Sequence, residues 1–147
     1  MKTVKTLAIS AALLICATGA IAADSTSQII KRDAPKGITA AFYVCIDKAG
    51  SDTIAIGSCL TTERQTQDAR LNAAYKALLG KLNAKAKERL VSAERTWLEF
   101  HSKSSSFESA LYSNEVVDDL QVTENEVFRL CERANTLDKY LTITNDQ

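Results

Sequence analysis

Proline occurs once and glycine five times in 147 residues. So few breakers leave no room for the many turns of an all-β fold, and they favour long uninterrupted helices. Histidine and tryptophan each occur once, which starves any reading built on a histidine-rich metal centre. No apolar run approaches the roughly 20 residues that a membrane-crossing helix needs. The longest, Leu7 to Ile15, stands at the N-terminus behind Lys2 and Lys5 and is followed by Ala20-Ile21-Ala22, the small-x-small pattern a signal peptidase reads. Cleavage after Ala22 is expected. The bulky Ile15 ahead of Cys16 argues against a lipid-attachment site, which wants a small residue there.

Without residues 1 to 22 the chain has sixteen basic and eighteen acidic residues, a net charge of −2. Such a balance speaks against a nucleic-acid binder, which would carry a strongly basic face. About 125 residues remain, the size of one domain. Cys45, Cys59 and Cys131 remain as well, an odd number in a compartment where disulfides persist. Cys45 with Cys59 is the favoured pair, closing a short loop worth about 3 kcal/mol in the chain-entropy model. An exchange of partner with Cys131 stays open.

Residues 23 to 36 are polar, contain the proline and show no period, so they read as a loose N-terminal arm. Beyond them Ile38, Ala41, Phe42, Cys45, Ile46 and Ala49 recur at helical spacing up to Gly50, a short first helix. A strand through Phe42 to Ile46 is the alternative. Ser51 is a candidate cap for a second, very long helix carrying Ile56, Cys59, Leu60, Leu71, Tyr75, Leu78 and Leu79, with a kink near Gly57 as an option. Its stretch from Thr61 to Asp68 reads as solvated. Asn83 suits the cap of a third helix. There Leu90, Ala93, Trp97, Phe100, Ser104, Phe107 and Leu111 alternate steps of three and four, the seam of a helix packed on antiparallel neighbours. A fourth helix holds Val127, Leu130, Cys131, Ala134, Leu137 and Leu141, with a capping-box spacing at Thr123 to Glu126. Residues 114 to 122 read as a helical turn or a loop.

Each long helix has one apolar and one charged face, and burying a Leu, Phe or Trp yields about 1.5 to 3 kcal/mol. The expected architecture is therefore all-α, an antiparallel bundle of three long helices plus a short N-terminal one, with residues 37 to 147 as the domain. His101 sits beside Ser102 and Lys103, but nothing orients its imidazole and no oxyanion hole is suggested. No catalytic residue, cofactor or metal site is expected. Trp97, Tyr75 and Phe100 resemble a ligand cage only superficially; their spacing makes them core. Charge is unevenly spread: Lys81, Lys85, Lys87 and Arg89 crowd the turn between the second and third helices, whereas Glu115, Asp118, Asp119, Glu124 and Glu126 have no basic residue among them. Two solvated surfaces explain this, as does a dipolar surface that steers a charged partner.

Cys45, Cys59-Leu60-Thr61-Thr62-Glu63, Asp68-Ala69-Arg70-Leu71-Asn72-Ala73-Ala74-Tyr75, Leu90 through Trp97 to Phe100, and Cys131 follow one another in an order that resembles the lysozyme inhibitor LprI-like N-terminal domain family, over about residues 40 to 141. The resemblance implies a helical, secreted protein of the bacterial envelope and an inhibitor of c-type lysozyme. Where the family pattern has Gln and Arg, this chain has Glu94 and His101, and it lacks the family's cysteine after the Trp motif, near Ser105. The missing cysteine implies that Cys131 has lost its partner.

A lysozyme cleft holds two carboxylates that act on a sugar, so an inhibitor needs only to fill the cleft with a donor or cation facing the acids. On the resemblance, Asn83, Lys85 and Lys87 are the expected residues to enter it, with Glu115, Asp118 and Asp119 among the acids that attract a basic outer surface. The rival expectation is a structural or immunity-type envelope protein that binds another protein partner. Neither involves nucleic acid or stable membrane insertion.

Overall fold

The computed structural model describes residues 24–112 and 116–145. The expected signal peptide and cleavage site lie outside them, as does Glu115. The described residues form five helices and no strand: α1 (Thr26–Asp33), α2 (Ala40–Ala49), α3 (Thr53–Lys81), α4 (Ala84–Leu111) and α5 (Val116–Asn145). The chain is an all-α bundle. Residues 26 to 33, expected in a loose arm, instead make α1, because Ser25 caps it and Asp47 of α2 holds Ser27 through its backbone N–H at 3.2 Å and its hydroxyl at 2.7 Å. Segment 40 to 49 is helical rather than extended and ends at Gly50, whose φ of 58° lies in the left-handed region that glycine tolerates best.

Asp52, not Ser51, caps α3, accepting from the N–H groups of Ile54 and Ala55. The helix runs uninterrupted through Gly57. The last helix starts at Val116, seven residues before the expected capping box; Thr123 is inside it and donates to the Asp119 carbonyl at 2.9 Å.

α5 is the central element, packed along α3 on one side and against α4 on another, while α3 and α4, though consecutive, meet α5 far more than each other. Two apolar clusters lie along α3 and α5. One joins Phe42 and Ile46 of α2 to Cys59, Leu60, Val127 and Cys131. The other joins Leu71, Ala74 and Leu78 to Leu130, Ala134 and Leu137, with Leu90 as the buried contribution of α4. The Cys45–Cys59 disulfide forms as favoured and ties α2 to α3 beside the first cluster.

The stretch expected to be solvated proves partly internal: Glu63 is 2% and Gln67 1% exposed. Glu63 accepts from the backbone N–H of Thr39, 3.0 Å away, and from its hydroxyl, supplying from another helix the carboxylate that a capping box would place in α2 itself. Gln67 bridges Glu63 at 2.7 Å and the Gly37 carbonyl at 2.9 Å. Arg70 extends this network to Asp138 at 2.7 Å and to Asn135. Gly37 has φ 114° and its missing Cβ leaves room for Arg70 and Cys131, so glycine is required there on two grounds.

Candidate functional site

The face that α4 turns inward is not the one its apolar pattern marks. Phe100, Phe107 and Leu111 are 58%, 63% and 64% exposed. Phe100 is thus a surface residue, against the expectation that placed it in the core beside Trp97 and Tyr75, which are half-buried. Glu94, about 120° round the helix from Phe100, is buried instead, its carboxylate 2.6 Å from Nη2 and 3.0 Å from Nε of Arg133. One turn earlier on α5, Arg129 donates to Ser105 at 2.9 Å and pairs with Glu108. Arg133 also lies over the Trp97 ring, 5.7 Å from its centroid, and Trp97 stacks on His101 at 5.1 Å. Two arginines on α5 therefore override the apolar preference of α4, because a carboxylate facing them satisfies charges that would otherwise lie unpaired.

This polar seam holds α4 away from α3 and opens a groove of about 770 Å³ between them. Arg64, Asp68 and Tyr75 line it from α3, Arg95, Trp97 and His101 from α4, and Leu71 and Leu130 contribute apolar surface. Arg64 is fixed by Glu126 of α5 at 3.1 Å. Burial and the nearby Arg129 guanidinium push the His101 pKa down, so the ring is held neutral. Two aromatic rings among charges of both signs can accept an extended, amphipathic surface of a partner.

Of the residues singled out from the sequence, Asn83 caps α4, its side-chain oxygen accepting from the Ala86 N–H at 3.0 Å. Lys85 and Lys87 stand exposed in the first turn of α4. Asp118 and Asp119 lie in the first turn of α5. The basic and acidic groups are thus at opposite ends of α4, about 42 Å apart for 28 residues at 1.5 Å each. They are not brought together. Several groove residues, by contrast, belong to motifs quoted for the resemblance, Asp68, Tyr75, Arg95 and Trp97 among them, and only the placement of α4 reveals that they face a common opening with Arg64 and His101.

A family model described as lysozyme inhibitor LprI matches residues 45–140. The chain belongs to that family. The matched segment of this LprI chain runs from the disulfide to the last turns of α5 and includes the groove, the α3–α4 turn and the polar seam. No curated protein and no solved structure matches the chain.

Ser105 and Cys131, which the resemblance offered as the sites of a lost disulfide, face different neighbours. Ser105 meets Arg129, whereas Cys131 sits on nearly the opposite side of α5, buried against Lys36 and Arg70. A cysteine at 105 would not reach Cys131 in this arrangement. Burial pushes the Cys131 thiol up, with the Arg70 guanidinium pulling against it, and the sulfur is inaccessible.

Proposed function

We propose that the protein is an exported binder of the bacterial envelope that inhibits c-type lysozyme by occupying its substrate cleft. The observation that carries this reading is the family match across residues 45–140. The α3–α4 turn supports it: Lys85 and Lys87 are exposed beside the turn that joins two long helices, and their ammonium donors suit a site lined by two carboxylates. Asn83 shapes the turn by capping α4 and leaves contact with the carboxylates to the two lysines. Asp118 and Asp119, at the far end of α4, steer a basic partner by the long-range field.

Export is part of the same reading. The Cys45–Cys59 disulfide fits an oxidising compartment, and among the described residues no helix is long and apolar enough to cross a membrane. Intact mass of the protein recovered from culture is expected to correspond to a chain beginning at Ala23.

The deciding experiment is a lytic assay with purified protein. Inhibition at micromolar excess, relieved by Lys85→Ala with Lys87→Ala, is the expected result. Undiminished hydrolysis removes the inhibitor reading. The groove then favours the second reading, an envelope protein that binds another protein partner through Tyr75, Trp97 and the charges beside them. Crosslinking from position 95 to a partner in envelope extract tests that alternative.

A further inference from the structure

Among the described residues, Phe100, Phe107 and Leu111 form a stripe of α4 that stands largely in solvent. Leu90, Ala93, Trp97, Phe100, Ser104, Phe107 and Leu111 keep the alternating three-and-four steps of a coiled-coil seam. Only Leu90 of that seam is buried, while Ala93, Phe100, Phe107 and Leu111 face solvent. The seam is also self-complementary when reversed. About a point near residue 102, Ala93 falls opposite Leu111 and Phe100 opposite Ser104, so that small residues meet large ones, while Phe107 falls opposite the half-buried Trp97.

Charge distinguishes the reversed pairing from the parallel one. The first two turns of α4 hold Lys85, Lys87 and Arg89, offset only by Glu88, and contain no acid in the first turn, contrary to what the helix dipole favours. The other end of α4 lies beside Asp118 and Asp119. A reversed second copy sets each basic end against an acidic end; a parallel copy sets like against like.

We propose that two copies of this chain associate through α4 in an antiparallel, two-fold arrangement, with Phe100 and Phe107 at its centre. Such an interface is isologous and closes on itself. The segment of α4 that overlaps its reversed copy, residues 93 to 111, spans about 28 Å of each helix, a narrow interface that suits reversible, concentration-dependent association. Phe100, Phe107 and Leu111 do not line the α3–α4 groove, although Trp97 of the same seam does, and Lys85 and Lys87 lie outside the paired segment, so the inference does not rest on the inhibitor reading.

Sedimentation of the purified protein over concentrations up to about 100 μM tests it. The expected result is a mass of two chains at the upper end. Phe100→Glu and Phe107→Glu each weaken association roughly tenfold or more, and their exposed positions leave the helical circular dichroism and melting curve in place. Arg89→Glu and Asp119→Lys each weaken it roughly threefold, and their combination in one chain restores it. Lysozyme inhibition by Phe100→Glu stays at the wild-type level, which separates this test from that of the inhibitor reading. A one-chain mass throughout, or a dimer indifferent to both phenylalanine substitutions, overturns the proposal. So does a monomer whose lysozyme binding is lost with Phe100→Glu, since the stripe would then belong to that partner.

Discussion

α5 makes two interfaces of opposite character. Toward α3 it presents Val127, Leu130, Ala134 and Leu137, which interdigitate with Leu60, Leu71, Ala74 and Leu78. Toward α4 it presents Arg129 and Arg133, which meet Glu108 and Glu94. The first interface is non-directional and tolerates small shifts; the second depends on the placement of a few charged atoms and fails if one is removed. α4 is consequently fixed in orientation more than it is glued in place, and it borders both the groove and the exposed stripe.

The comparison can be broken most severely on its apolar side. Leu137→Ala, at a fully buried position, is expected to cost about 4 kcal/mol of global stability, measured by urea denaturation. Glu94→Ala removes one partner of a buried pair and is expected to cost about 3 kcal/mol. Replacing Glu94 and Arg133 together by methionine recovers most of that loss if the seam serves orientation rather than stability, and a double-mutant cycle reads the difference directly. Native-state hydrogen exchange sharpens the contrast further: amides of α4 open at lower free energy than those facing one another in α3 and α5.

A smaller effect concerns pH. The His101 pKa is lowered in the folded chain from its ordinary 6.5, so the unfolded chain takes up the proton first as pH falls. Stability contributed by the neutral ring is fully present above about 6.5, declines below it, and levels off once the folded-state pKa is passed. Histidine at 101 therefore adds an acid-side slope to the denaturation midpoint that His101→Gln lacks. The smallest change is expected at the stripe: Phe100→Ser alters the stability of the single chain by no more than about 0.5 kcal/mol.

Much of this architecture was legible beforehand. Periodicity located α2 to α5, Asn83 was recognisable as a cap from its type and place, and the proximity of Cys45 to Cys59 in the chain favoured their disulfide. α1 was missed because Asp47, the carboxylate that holds Ser27 in its first turn, lies 20 residues from that serine. Burial of Glu63 and Gln67 was missed for the same reason, since Thr39 and Gly37, which satisfy them, belong to a distant segment. Of the candidate site, the exposed turn lysines were accessible to reading, but the groove was not. It exists only because α4 stands off from α3.

Local composition determined that these residues would be helical and that α4 would begin at Asn83, and it favoured Cys45 with Cys59. Tertiary structure alone decided which side of α4 is covered. Helical spacing defines faces relative to one another, whereas burial depends on what a neighbour presents: at α5 that neighbour presents Arg129 and Arg133, and two partly buried guanidinium groups demand carboxylates where phenylalanine rings would otherwise have packed.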